Sequence, residues 1–260
     1  MPRLPIDDAG LYYEVDGDGD WLVFAHGGDA NHLCWWKQVA AFRDRFRCVT
    51  YDFQGYGLSD IGSAPRMPAD DLLRLMDHLK IDRAILVGHS MGGMAVAPVA
   101  QNHSDRVRAL VMSDTPFSFS TAALSRWAGE MIDKISKGFN VMDHLFAPGL
   151  AEREPELHYL YMAICRMKLP DSLPRPEGDR LYDPYIRMRD TPPVDYSGFS
   201  VPSLFIVGDQ DELTLPWLIE ATAKAVGGAA FRVIKGAGHS PFVEQSQTYN
   251  QTLAAFFDTL

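Results

Sequence analysis

The sequence predicts an α/β protein: a mostly parallel, doubly wound sheet with an inserted helical cap. Short apolar runs alternate with stretches of helical periodicity from Trp21 to Met112, the alternation stops between residues 117 and 196, and it resumes at Ser203. Runs that are apolar almost throughout, such as Trp21-Leu22-Val23-Phe24-Ala25, suit strands covered by helices on both faces.

Taken in order, Leu11 to Val15 alternates as a strand does, and Asp16-Gly17-Asp18-Gly19-Asp20 reads as a hairpin turn into Trp21–Ala25. Residues 32–43 predict a helix before the strand Arg47–Tyr51. A helix over 69–80 precedes Ala84–Val87, and one over 91–102 precedes Val107–Met112. Pro98 falls inside the latter helix, where its missing N–H should bend the chain without moving the first turn. After the interruption, Ser203–Val207, a helix over 216–226, Ala230–Ile234 and a helix over 241–257 complete the pattern.

The core is therefore assigned to residues 1–116 and 197–260, and the cap to 117–196. An insertion there lies over the carboxyl ends of the strands, where open α/β sheets bind ligands. The stretch Pro170 to Pro176, with Pro184, Pro192 and Pro193, should form loops that break the cap into short helices. Trp127, Met131 and Phe139 are its candidates for lining a mainly apolar substrate pocket.

The 260 residues carry 24 Lys+Arg against 34 Asp+Glu, a net charge of −10. An acidic surface repels phosphate backbones and anionic lipid, so neither nucleic acid nor membrane is an expected partner; a small-molecule substrate is. No stretch approaches the ~18 apolar residues of a membrane span. The opening Met1-Pro2-Arg3-Leu4-Pro5 lacks the apolar run of a secretory leader, which makes a cytoplasmic protein the expectation. Cys34, Cys48 and Cys165 are odd in number and widely spaced, as reduced buried thiols are. The oligomeric state is left open.

The chemistry begins at Gly88-His89-Ser90-Met91-Gly92, a G-x-S-x-G pentapeptide placed between an apolar strand and a small-residue helix. Glycines two residues either side let strand and helix approach, and the turn exposes the Ser90 hydroxyl above the sheet. A serine needs a base to take its proton. Of eight histidines, His239 lies in Gly236-Ala237-Gly238-His239, after the last strand and before the last helix, and is the candidate. His26 reads as a turn former and His89 as a packing residue, while His32, His78, His103, His144 and His158 have no partner visible in sequence. The orienting carboxylate is assigned to Asp211, in the turn after Ser203–Val207, with Asp114 after Val107–Met112 as its rival. Donors for a developing oxyanion are assigned to the backbone N–H groups of Met91 and Gly28, the latter in His26-Gly27-Gly28 with Asp29 as its neighbour.

These motifs, in this order, resemble the α/β-hydrolase superfamily, in its capped esterase, lactonase and C–C hydrolase-like branch. Asp52-Phe53-Gln54-Gly55-Tyr56-Gly57-Leu58-Ser59-Asp60 is similar to that family's D-x-x-G-x-G-x-S-D loop, which in relatives is structural and borders the site. The resemblance implies a cofactor- and metal-free serine hydrolase of a small, largely apolar carboxylic ester or lactone, acting through an acyl-enzyme. Serine at the nucleophile position sets the chain apart from haloalkane dehalogenases and epoxide hydrolases, which carry aspartate there. A C–C hydrolase of a β-diketone or ring-cleavage product, and a slow small-molecule binding protein of the same fold, are the alternatives.

Overall fold

The run Ala84-Ile85-Leu86-Val87 forms the middle of a sheet because its side chains divide between two apolar layers. Ala84 and Leu86 enter one layer, Ile85 and Val87 the other. Val23 against Phe24 and Phe205 against Ile206 divide in the same way, so burial on both faces explains why these strands read as unbroken apolar runs. The structure, a computed structural model, describes residues 2–28, 30–167 and 183–260.

The chain runs β1 (Arg3–Ile6), β2 (Ala9–Asp16), β3 (Asp20–Ala25), α1 (Trp36–Phe42), β4 (Phe46–Tyr51), α2 (Pro68–His78), β5 (Ala84–His89), α3 (Gly93–Asn102) and β6 (Val107–Ser113). Then follow α4 (Ala122–Ser136), α5 (Leu150–Arg153), α6 (Pro155–Arg166) and α7 (Asp183–Asp190). The core resumes with β7 (Ser203–Gly208), α8 (Pro216–Ala225), β8 (Ala230–Ile234), α9 (Pro241–Glu244) and α10 (Ser246–Phe257). The eight strands lie in the order β1-β2-β4-β3-β5-β6-β7-β8. β1 and β2 are antiparallel to their neighbours, and every pairing from β4 to β8 is parallel, with Gly88 opposite both Ala25 and Met112.

Several local expectations are corrected. β2 pairs with β4, not with β3, so residues 16–20 are not a hairpin turn. Gly17 and Gly19 take φ of +87° and +116° there, and the turn presses onto the chain between α1 and β4, where a Cβ on Gly17 would lie 2.2 Å from Arg43 O. The helix expected over 32–43 opens as a 3₁₀ turn, His32–Trp35, capped by the Asn31 side chain, before α1 begins. The helix expected over 241–257 is broken at Gln245, between α9 and α10. Pro98 lies inside α3. Pro184 starts α7 rather than a loop, in the first turn where a missing N–H costs no helical hydrogen bond. The stretch 170–176 falls outside the described residues.

The helices α4 to α7 enter between β6 and β7. α4 packs Leu124, Trp127, Ala128 and Met131 against Leu218 of α8. Hydrogen bonds tie this insertion to the core; among them, Trp127 Nε1 donates to Leu213 O and Asn31 Nδ2 donates to Ile164 O, both at 2.8 Å. All three cysteines are free and buried. Among the described residues no helix is long and apolar enough to cross a membrane.

Candidate active site

Because β3 to β8 are parallel, the segments that follow them all emerge at one edge of the sheet. Gly27, Ser90, Asp114, Asp211 and His239 each lie within a few residues of a strand's carboxyl end. Ser90 begins a single 3₁₀ turn between β5 and α3 with a φ of +49°. A non-glycine residue held there carries strain of order 1–3 kcal/mol, and the packing around it maintains it. A Cβ on Gly88 would lie 2.5 Å from Val96 Cγ2, and one on Gly92 2.3 Å from Ala25 O, so both glycines are required by the close approach of α3 to β5 and β3.

His239 and Asp211 are in direct contact. His239 Nδ1 lies 2.9 Å from Asp211 Oδ2, and both side chains are buried. A carboxylate can only accept, so the Nδ1 proton donates and the other ring nitrogen carries no proton in the neutral ring. Asp211 Oδ1 accepts from the backbone N–H groups of Leu213 and Thr214 at 2.8 and 3.0 Å. Thr214 Oγ1 stands 2.7 Å from Asp211 Oδ2 and 2.8 Å from Asp114 O, one proton serving two acceptors in turn. Burial pushes the Asp211 carboxyl up, but the charge and hydrogen bond of His239, joined by the bonds from Thr214, outweigh it and hold the group below the usual carboxylate range.

Asp114 is placed differently. Its Oδ1 accepts from Gly208 N at 2.9 Å and its Oδ2 lies 2.8 Å from Ser113 Oγ, so it buttresses β6 against β7 and makes no bond to His239. Burial first, then the negative charge of Asp211, drive its carboxyl well above its ordinary value. Asp114, Asp211 and His239 bring potential ligand atoms within 4.8 Å of one another. Those atoms are already engaged with Gly208, Ser113, Thr214 and each other, and this donor set does not suit a cation.

Around this pair the backbone is pinned from several sides. His89 is more than packing: its Nε2 donates to His239 O at 2.7 Å, and its ring centroid stands 5.0 Å from that of His239. Gly27 abuts the elbow, since a Cβ there would lie 2.6 Å from His89 Nδ1 and 3.2 Å from Ser90 Cβ, whereas a Cβ on Gly28 would meet nothing within 4 Å. His26 accepts from Phe53 N through Nε2 and donates from Nδ1 to Gly27 O at 2.7 Å. His32, which showed no partner in sequence, is paired with buried Asp52 at 2.8 Å, and Asp52 also accepts from Leu58 N to fold the 52–60 loop. Glu244 accepts from Gly238 N and from Ala147 N of the insertion, both at 2.8 Å. Among the described residues no hydrogen bond joins Ser90 Oγ to His239.

Met91 follows Ser90 within the same 3₁₀ turn, and Gly28 follows Gly27 in the turn that abuts the elbow; Asp29 lies outside the described residues. Trp127 and Met131 are each 2% exposed and packed on α8. Phe139 stacks on the His144 ring at 4.1 Å. The cavity beside the elbow is lined by Met91 and by residues between Phe53 and Asp71, none of them in the insertion. Thr214, Glu244 and the bond from His89 were not read from sequence. The spacing Asp211-Glu212-Leu213-Thr214 carried a faint signal, because an aspartate commonly accepts from the N–H groups that follow it in a turn.

A strained serine on a glycine-flanked elbow, with a buried imidazole–carboxylate pair at the same sheet edge, defines a hydrolase class. The chain matches the alpha/beta hydrolase family over residues 22–252, and it belongs to that family. It is similar to 3-oxoadipate enol-lactonase 2 of Acinetobacter baylyi, 25% identical over 273 residues that cover 97% of this chain and 94% of that one. Among solved structures it is similar to a thermophilic esterase from Thermogutta terrifontis, with a TM-score of 0.77, 24% identity and coverage of 100% and 99%. The enol-lactonase from Burkholderia xenovorans LB400 gives a TM-score of 0.72 at 25% identity, covering 99% of this chain and 100% of that one.

Proposed function

We propose that this alpha/beta hydrolase is a serine hydrolase of small, largely apolar carboxylic esters or lactones. The contact between His239 Nδ1 and Asp211 Oδ2 carries this reading. It fixes the imidazole with Nε2 free to accept a proton and stabilises the imidazolium once formed. Ser90 Oγ attacks the carbonyl carbon while His239 Nε2 takes its proton. The N–H groups of Met91 and Gly28 receive the oxyanion, and collapse returns the proton from His239 to the leaving alkoxide oxygen. Water, deprotonated by His239, then attacks the acyl-enzyme and releases the acid and Ser90. With a lactone the alkoxide stays on the acyl chain, and one hydroxy acid leaves. The enol-lactonase relatives favour a lactone or ester over other acyl substrates, and residues 117–196 serve as the cap over the site.

The test is labelling by a fluorophosphonate probe together with turnover of a panel of aryl esters and lactones. Labelling that disappears in Ser90→Ala, with hydrolysis reduced at least about a thousandfold in that folded variant, is the expected result. Unchanged hydrolysis in Ser90→Ala rejects the assignment. Labelling without turnover points to a binding protein, and cleavage of a β-diketone in preference to any ester points to C–C hydrolysis.

A further inference from the structure

We propose that the acyl side of the substrate, not its alcohol side, runs into the cavity between Met91 and the segment 53–71, and that this segment of the core, rather than the insertion, measures the length of an apolar acyl chain. The cavity has a volume of about 460 Å³, inside the range of roughly 300–1,000 Å³ that small-molecule sites occupy. Phe53, Tyr56, Ile61, Pro65 and Met91 give it mainly apolar walls, and no described residue of the insertion reaches it. Arg66 and Asp71, the charged residues of the described wall, are paired with each other at 2.7 Å. Such walls favour a hydrocarbon chain that leaves water to enter them. Met91 directly follows Ser90, and the Tyr56 hydroxyl lies 3.8 Å from Met91 Sδ, which sets one end of the cavity against the elbow.

The order of strands decides which part of the substrate lies there. β4, which leads into segment 53–71, is on one side of β5 and its elbow; β7 and β8, which lead into Asp211 and His239, are on the other. The rings of Phe53 and Tyr56 stand 4.4 and 5.4 Å from the His26 ring, which joins the cavity wall to the turn holding Gly27 and Gly28. On the hydrolase reading, on which this assignment rests, the leaving oxygen takes its proton from His239 and so lies on the His239 side of the carbonyl carbon. In the tetrahedral centre the acyl carbon is splayed away from the leaving oxygen, which directs it to the β4 side.

The wall is held together by its own hydrogen bonds. Gln54 Nε2 donates to Ile61 O and, at 2.8 Å, to Ala64 O, while Gln54 Oε1 accepts from Arg66 N at 2.8 Å. Asp8 accepts from Ser63 N at 2.8 Å, and the pairing of Arg66 with Asp71 fastens the segment to the first turn of α2. Gly62 makes the bend with a φ of +73°. A chain entering a cavity already shaped meets little ordering cost in the protein, so each methylene buried there adds to binding.

Two ester series test the assignment: phenyl esters of acids lengthened from propanoate to hexanoate, and acetates of alcohols lengthened from propanol to hexanol. kcat/KM is expected to rise about fourfold per methylene in the acyl series and less than about twofold per methylene in the alcohol series. Ile61→Trp, which fills the cavity, should lower the hexanoate-to-propanoate ratio at least about tenfold. Location is read separately. Full-length Ser90→Ala protein is irradiated with methyl hexanoate carrying a diazirine ring at carbon 5, and the labelled peptide is identified by mass spectrometry. Label within residues 53–71 or at Met91, suppressed by excess methyl hexanoate, is the expected result, and it decides the matter even if the tryptophan variant does not fold. A length dependence carried by the alcohol, label within residues 117–196, or no suppressible label overturns the proposal. Should Ser90 resist the fluorophosphonate while the label falls within 53–71, the hydrolase reading fails and the apolar site stands.

Discussion

His89 reaches across from the elbow and donates its Nε2 proton to the main-chain carbonyl of His239 over 2.7 Å. The residue before the serine thereby fixes the loop bearing His239. His89→Phe keeps a ring but removes this bond, and kcat is expected to fall about ten- to a hundredfold through misplacement of the imidazole, with KM little changed. Steady-state kinetics on one aryl ester measures both constants.

The same histidine shapes acid stability. Burial, followed by the nearby His239, depresses its pKa to about 3 from 6.5. The unfolded chain therefore binds a proton between those values that the folded protein refuses, so this contribution to stability is present above pH 6.5 and is lost as pH falls toward 3. The slope can reach about 1.4 kcal/mol per pH unit. Urea midpoints across this range should decline less steeply in His89→Gln than in the parent.

Asp114 and Asp211 are shifted in opposite directions. Asp211→Asn should lower kcat about ten-thousandfold, because the amide oxygen stays with Leu213 N and Thr214 N while its NH2 turns to His239 Nδ1, which can then only accept, leaving the proton on the other ring nitrogen. Asp114→Asn should leave kcat within a few fold, since the amide oxygen still accepts from Gly208 N. Its raised folded pKa means that the parent is favoured below pH 3.8 and loses that advantage as pH rises toward the folded value. Thermal unfolding followed upward from pH 3.8 should therefore show a flatter profile for the asparagine variant.

Gly27 and Gly28 look alike in sequence and should respond in opposite ways. Alanine at 27 meets the His89 ring at 2.6 Å and should destabilise by about 1–3 kcal/mol with loss of activity. Alanine at 28 enters open space, and its melting temperature should match the parent within a degree or two.

What the sequence reveals follows from where the physics is local. The strand–helix order was legible because burial on both faces forces unbroken apolar runs, and the elbow because glycine spacing records the packing of α3. The pairing of β2 was not, since proximity along the chain suggested β3 while β4 lies between them. β1 escaped notice as four residues containing Pro5, a residue tolerated at a sheet edge. Ser90, His239 and Asp211 each carried a loop signature, but the choice of Asp211 over Asp114 against His239 is a matter of distance. Glu244 was not legible because one of its partners, Ala147, stands 97 positions away, and the apolar pattern in α4 did not reveal that Trp127 and Met131 pack on α8.

Gly238 has no room for a side chain: a Cβ there would stand 2.3 Å from both the Phe146 carbonyl carbon and Ala147 N. Glu244 clasps that same peptide plane and Gly238 together. An insertion transplanted from another hydrolase would have to reproduce this one backbone crossing to seat on this core. Swaps that respect it should leave the loop of His239 in place, while swaps that ignore it should dislodge the neighbouring imidazole, whatever side chains the new segment brings.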